Sequence, residues 1–229
     1  MIEQQMYRQA QRYIDTSNFD LAISALMQLE SRYPFGKYAE QAQLELIYAH
    51  HGAYQNEAAI EAADRFIRLH PQHPSVDYAF YMKGVAAYDL NKNFLASLIP
   101  SDDSKRDVTG VREAFSEFSQ LLNRYPNSRY AQDARARMVY IRNMLARHEI
   151  HVANYYFKRG AYMAALKRGQ NVVENMQETT AVADGLAVMA QAYTLLDMSS
   201  LASDVVRVLC LNYPQHPNLD DECTSRKRR

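Results

Sequence analysis

Four short proline blocks read alike along the chain: Arg32-Tyr33-Pro34-Phe35-Gly36, Leu69-His70-Pro71-Gln72-His73-Pro74, Arg124-Tyr125-Pro126-Asn127-Ser128 and Asn212-Tyr213-Pro214-Gln215-His216-Pro217. Twelve residues before the first proline of each stands an alanine: Ala22, Ala59, Ala114 and Ala202. Four residues further come Leu26, Ala63, Phe118 and Val206, then after three more Leu29, Phe66, Leu121 and Leu209. The spacing i, i+4, i+7 is one face of an α-helix. Proline ends such a helix because it lacks an N–H and its ring clashes with the preceding turn. Each block is therefore the stop of a helix that packs through a small residue followed by larger ones.

A first helix precedes each stop helix, over about 4–17, 39–51, 76–90 and 182–196. In the first of these Met6, Ala10, Tyr13 and Ile14 share a face. Asn18 is expected to cap the following helix, Phe19 to lie inside the joint, and Gly84 to mark a place where two helices meet. Helix pairs closing with proline at this spacing follow the tetratricopeptide (TPR) pattern, whose period is about 34 residues. A further pair lacks its proline. Ala153, Tyr156, Gly160, Tyr162, Ala165, Gly169 and Val172 keep the register, and Gln177 takes the stop position. An additional helix is expected over 129–147, with Ala131, Ala134, Met138, Ile141 and Leu145 on one side. The stretch 91–110, around Pro100-Ser101-Asp102-Asp103-Ser104, reads as a loop.

The predicted fold is all-α, a right-handed solenoid of about five TPR helix pairs forming one unit over 1–217. Its N-terminal repeats fill about 1–90 and its C-terminal repeats about 111–217, with a polar tail over 218–229. A stack of this kind has a concave face lined by first helices, which suits an extended or helical segment of another protein.

Several runs go beyond a generic repeat: 30–38 (Glu30-Ser31-Arg32-Tyr33-Pro34-Phe35-Gly36-Lys37-Tyr38), Leu46-Ile47-Tyr48-Ala49, Asp64-Arg65-Phe66-Ile67-Arg68-Leu69-His70-Pro71, Tyr78 with Tyr81-Met82-Lys83-Gly84, Tyr125-Pro126-Asn127-Ser128 with Tyr130, and Tyr155-Tyr156 with Arg159-Gly160-Ala161. In this order they resemble the BamD family, lipoproteins of the outer-membrane β-barrel assembly machine (BAM complex), from about residue 7 to 202. The resemblance implies a non-enzymatic scaffold on the periplasmic face of the outer membrane. It implies docking on the BamA periplasmic domains through the C-terminal repeats, contact with accessory BAM lipoproteins, and capture of targeting signals of unfolded outer-membrane protein clients at the N-terminal repeats. Mature members begin with a lipidated cysteine, whereas no cysteine precedes Cys210 here. The membrane is thus expected to be reached only through an N-terminal lipid absent from this chain, with Met1 standing just before the first helix. Val108 after Arg106-Asp107 stands where the family has proline, and the basic end Ser225-Arg226-Lys227-Arg228-Arg229 has no family counterpart.

Charge sharpens the partner expectation. Formal net charge is zero, so no global field draws the chain to nucleic acid, and none is expected as a partner. Residues 124–168, however, hold ten basic and two acidic groups. Arg129, Arg135, Arg137, Arg142, Arg147, Lys158, Arg159, Lys167 and Arg168 either form a docking face for an acidic partner or are ordinary solvated helix faces. The resemblance places the family's BamA-contacting arginine at Arg168, with Arg159, Lys167 and Arg142 as its neighbours, and Gly169 is expected to let the partner approach. Tyr33, Phe35, Gly36, Tyr38 and Tyr48 fall at the first junction between pairs. They are either packing residues or a pocket for a hydrophobic peptide, with Gly36 admitting its backbone. A generic TPR adaptor that clamps a peptide terminus is the alternative. It needs Lys, Asn and Arg on the inner face of adjacent first helices, where the sequence offers Gln41, Gln43, Glu45 and Tyr48.

Nothing in the sequence calls for catalysis or a cofactor. His50-His51, His70 with His73, and His148-Glu149-Ile150-His151 lack the H-E-x-x-H spacing that sets two metal ligands on one helix face. Phosphate-binding and nucleophile motifs are absent. Cys210, in the apolar run Val208-Leu209-Cys210-Leu211, and Cys223, in a polar stretch, are expected to form neither a disulfide framework nor a metal site. No stretch approaches eighteen consecutive apolar residues, and Met1-Ile2-Glu3-Gln4-Gln5 is no signal peptide, so the chain as it stands is expected to be soluble.

Overall fold

The computed structural model describes residues 2–90 and 108–217, and the helices there are ten: α1 (Glu3–Asp15), α2 (Phe19–Arg32), α3 (Ala39–Gly52), α4 (Asn56–Leu69), α5 (Val76–Asp89), α6 (Thr109–Arg124), α7 (Ala131–Lys158), α8 (Tyr162–Asn175), α9 (Val182–Leu195) and α10 (Ser199–Asn212). No strand occurs among the described residues. The expected loop 91–110 and polar tail 218–229 lie almost wholly outside them, although Thr109 and Gly110 already belong to α6 and Val108 is buried.

The proline blocks act as stops in the way the sequence dictates. The residue before each proline is held by an N–H to a carbonyl four residues back: Tyr33 to Leu29 (2.8 Å), His70 to Phe66 (2.8 Å), Tyr125 to Leu121 (2.8 Å) and Tyr213 to Leu209 (2.8 Å). Its own carbonyl then accepts from the residue three further on, as Gly36, His73, Ser128 and His216 donate in turn. Met176 and Thr179 reproduce both bonds around Gln177 without a proline, so the backbone turn and not the ring defines the joint. The turns inside a pair are equally uniform. Asn18, Gln55, Ala161 and Met198 donate to carbonyls five residues back, at 2.8 to 3.0 Å. The residue before each (Ser17, Tyr54, Gly160 and Asp197) has positive φ, as this helix ending requires. Asn18 stands at the N-cap of α2, but its side chain bonds Thr16 Oγ1 rather than capping the helix.

Chain contacts group the molecule into two compact units. The first comprises Met1–Ser101 with Thr109–Met138, the second Asp102–Val108 with Val139–Arg229. In the first unit, the alanines of the repeat (Ala22, Ala59, Ala114) and the positions after them (Leu26, Leu29, Ala63, Phe66, Phe118, Leu121) are all completely buried. Full burial of each large side chain contributes about 1.5–3 kcal/mol. Gly84 meets α6 so closely that an added Cβ would lie 2.7 Å from the Phe118 ring. His70 and His73 pack their rings against Phe66 and face Glu40, both at 3.5 Å. Gln43 points away from the inner face: it donates to Glu30 and meets His70 Nε2 at 3.0 Å.

The second unit keeps the same register without the proline. Ala165, Gly169 and Val172 of α8 are buried, and Ala202 and Leu209 of α10 follow them, whereas Val206 stays half-buried. No separate helix spans 129–147. Arg147-His148-Glu149-Ile150 contains no glycine or proline to break the turn, so the expected extra helix and the first helix of the fourth pair are continuous, a single helix of 28 residues. Cys210, half-buried near the end of α10, is disulfide-bonded. That overturns the expectation that the cysteines stay apart: a helix end leaves the sulfur within reach of a partner. Cys223 lies outside the described residues.

Candidate functional site

In the first unit the expected aromatic group divides in two. Tyr33 and Tyr38 are half-buried and pack on the core of α1, α2 and α3. Tyr38 stacks on Tyr7 (4.5 Å between centroids, 14° between planes). Phe35, on the turn between them, is 99% exposed. Gly36 is used within the chain: a Cβ there would fall 2.3 Å from Glu3 Oε1, and that carboxylate accepts the Tyr38 N–H at 2.8 Å. Tyr48 belongs elsewhere. It meets the Phe19 ring edge-on (5.9 Å) and lines a cavity of about 420 Å³.

That cavity lies on the inner side of the first helices. Its walls are Ile14 and Asp15 at the end of α1, Leu44, Glu45 and Tyr48 on α3, Tyr78 on α5, and Arg129. The spacing 41, 44, 45, 48 is a single helix face, so Gln41, Leu44, Glu45 and Tyr48 all reach it. Glu45 Oε1 accepts from Tyr7 Oη (2.5 Å) and Gln41 Nε2 (3.1 Å), while Oε2 is buried without a hydrogen-bond partner. Burial, reinforced by Glu45, pushes the Tyr7 phenol well above its usual range, so it stays a donor. Burial and the neighbouring Tyr130, Tyr48 and Glu45 do the same to Tyr78. Arg129 lies over the Tyr130 ring at 4.8 Å and bonds its hydroxyl.

In the second unit Arg168 is not a bare surface cation. Its Nη1 donates to Glu149 Oε2 at 3.0 Å, and the Glu149 side chain is only 3% exposed against 40% for Arg168. The Tyr156 ring lies 6.0 Å from the guanidinium. The hydrogen bond to Glu149, more than the burial that opposes it, raises the already high Arg168 pKa. Arg142 pairs with Glu178, Arg159 lies over the Tyr155 ring at 5.3 Å, and Lys167 is exposed. Ala165 packs inward as expected. Gly169 is buried, and a Cβ there would meet the Gly185 carbonyl at 2.9 Å, so its lack of a side chain serves the α8–α9 contact and not an incoming partner.

The basic stretch therefore falls on both units and is partly spent. In the first unit Arg137 pairs with Asp133, which also accepts from Tyr81, and Arg135 bonds the Pro126 carbonyl. Arg142 and Arg168 are committed in the second. Glu149 and the cavity residues Asp15 and Tyr78 are the site residues that sequence reading passes over as sites, and Arg129, read there as part of a docking face, lines the cavity. One signal for Glu149 was available: it is one of only two acids among 124–168.

Helix pairs with this turn chemistry, with a cavity on their inner side, are those of a tetratricopeptide-repeat protein. The TPR2AB domain of yeast Sti1, solved as a complex with pHSP90, superposes with a TM-score of 0.50 over 94% of this chain and 79% of that one, at 12% identity, which establishes the fold class. The family model described as YfiO, outer membrane lipoprotein, matches residues 1–209. Outer membrane protein assembly factor BamD of Neisseria meningitidis serogroup B is 43% identical over 216 residues, covering 94% of this chain and 81% of that protein. The BamD proteins of Xylella fastidiosa (35%, covering 93% and 73%) and Vibrio cholerae (36%, covering 91% and 86%) are similar along nearly the same length. The chain belongs to this family of outer membrane lipoproteins, the BamD family. No described helix is long and apolar enough to cross a membrane.

Proposed function

We propose that this chain is a non-enzymatic scaffold of the outer-membrane β-barrel assembly machine, held at the periplasmic face of the outer membrane by an N-terminal lipid. The second unit docks on the BamA periplasmic domains through the outward part of Arg168 with Arg159 and Lys167, while Arg142 is drawn partly away by Glu178. The first unit receives targeting segments of unfolded outer-membrane proteins in the cavity beside Tyr48, with Phe35 open to a client's apolar side chain. Accessory BAM lipoproteins complete the set of partners.

The observation that carries this reading is the 43% identity to an assembly factor across 94% of the chain. The cavity between first helices gives the reading a physical seat, since a concave, partly aromatic wall is what an extended segment needs. One pull-down with two ligands tests both halves. Arg159→Glu with Lys167→Glu should lower capture of the BamA periplasmic domains at least tenfold, because like charges then face an acidic surface. Tyr48→Ala should lower capture of a C-terminal barrel peptide at least threefold. Unchanged capture of either ligand removes the corresponding half of the proposal.

A further inference from the structure

We infer that the cavity of the first unit takes a basic side chain, a lysine or arginine of an extended peptide, on the carboxylates of Glu45 and Asp15. This inference rests on the peptide-receiving reading of that unit and adds which side chain the cavity selects. Glu45 Oε1 is satisfied by Tyr7 and Gln41, but Oε2 is buried and has no donor. That oxygen is closed to an incoming donor, but no described cation pairs with Glu45, so its negative charge acts on the cavity it lines. Asp15, on the adjacent wall, is exposed and no described residue pairs with it.

The other charged group of the cavity does not cancel these acids. Arg129 is turned to Tyr130, whose hydroxyl it bonds and whose ring it covers. Two carboxylates against one guanidinium leave the cavity one net negative charge, and charge complementarity calls for an incoming cation. The remaining walls set its shape. Ile14 and Leu44 suit an aliphatic stem, and the rings of Tyr48 and Tyr78 suit both the stem and a cation over a π face. A long side chain with a charged tip meets all of these surfaces at once.

The probes are fluorescently labelled pentapeptides, acetylated and amidated, with lysine, norleucine or glutamate between two tyrosines. Their binding is followed by anisotropy on the full chain beside a C-terminal barrel peptide. The lysine peptide should bind about tenfold more tightly than the norleucine peptide at low salt, with the glutamate peptide weakest, and the advantage should shrink at about 0.5 M salt. Asp15→Asn and Glu45→Gln should each cut the lysine advantage at least threefold. Glu45→Gln keeps an acceptor for Tyr7, and if it melts early, Asp15→Asn on an exposed side chain still decides. Equal binding of lysine and norleucine peptides, or a lysine preference that survives both substitutions, overturns the inference. If the barrel peptide binds while no pentapeptide does, only this inference falls; if nothing binds, the peptide-receiving reading falls with it.

Discussion

Replacing Arg168 by glutamate tests whether that residue is a docking contact, a structural one, or both. Removing one member of a fully buried ion pair costs about 3–5 kcal/mol. Here Glu149 is buried but Arg168 is 40% exposed, so water already solvates part of the guanidinium and about 2 kcal/mol is the appropriate figure. Glutamate adds repulsion: two carboxylates about 8 Å apart at an effective dielectric of about 20 repel by about 2 kcal/mol. Arg168→Glu should therefore lose about 4 kcal/mol and Arg168→Met about 2. At about 2–4 °C per kcal/mol for a chain of this size, the melting temperature should fall by about 8–16 °C and about 4–8 °C respectively. Far-ultraviolet circular dichroism melts measure both. The double variant Arg168→Met with Glu149→Gln should recover most of the Met loss, since the charge left without a partner is then gone. Melting within about 1 °C of the parent for both single variants, or no recovery in the double, would refute the reasoning. If it holds, lost capture of a partner by Arg168→Glu reports on docking only below the variant's own melting range.

Two substitutions test the packing logic of the repeat. Gly84→Ala gains helix propensity, but its Cβ must enter the fully buried Phe118 ring; a net loss of about 1–2 kcal/mol should appear as a lower urea midpoint, and an unchanged midpoint would show that the ring yields freely. Tyr54 is 81% exposed with φ +59°, so Tyr54→Gly gives up little packing, relieves left-handed strain and should stabilise by about 0.5–1 kcal/mol, read as a rise in melting temperature of about 1–4 °C.

The fold was legible because TPR packing repeats a local pattern. Alanine, a core residue four on and a larger one three further were enough to place α2, α4, α6, α8 and α10, and the turn at Gln177 followed from register alone. The fused α7 was missed because continuity of a helix leaves no mark except the lack of a breaker. The candidate site was less legible, for a physical reason. Whether Tyr48 faces a cavity and Tyr38 a core, or whether Arg168 is spent on Glu149, depends on which helix faces come together, and one-dimensional spacing fixes only faces of the same helix. Gly36 and Gly169 illustrate the same limit: the atoms that lie against their bare Cα positions are Glu3 and the Gly185 carbonyl, which spacing along the chain cannot name.

The second helix of every pair is closed by the same two backbone bonds, with proline at four places and glutamine at the fifth. Because nothing in that closure is particular to its address, a pair can be added or lost without inventing a new way to finish a helix. Chains built on this hinge-stone are free to lengthen by whole modules, and differences in reach between related scaffolds should come in such steps rather than residue by residue.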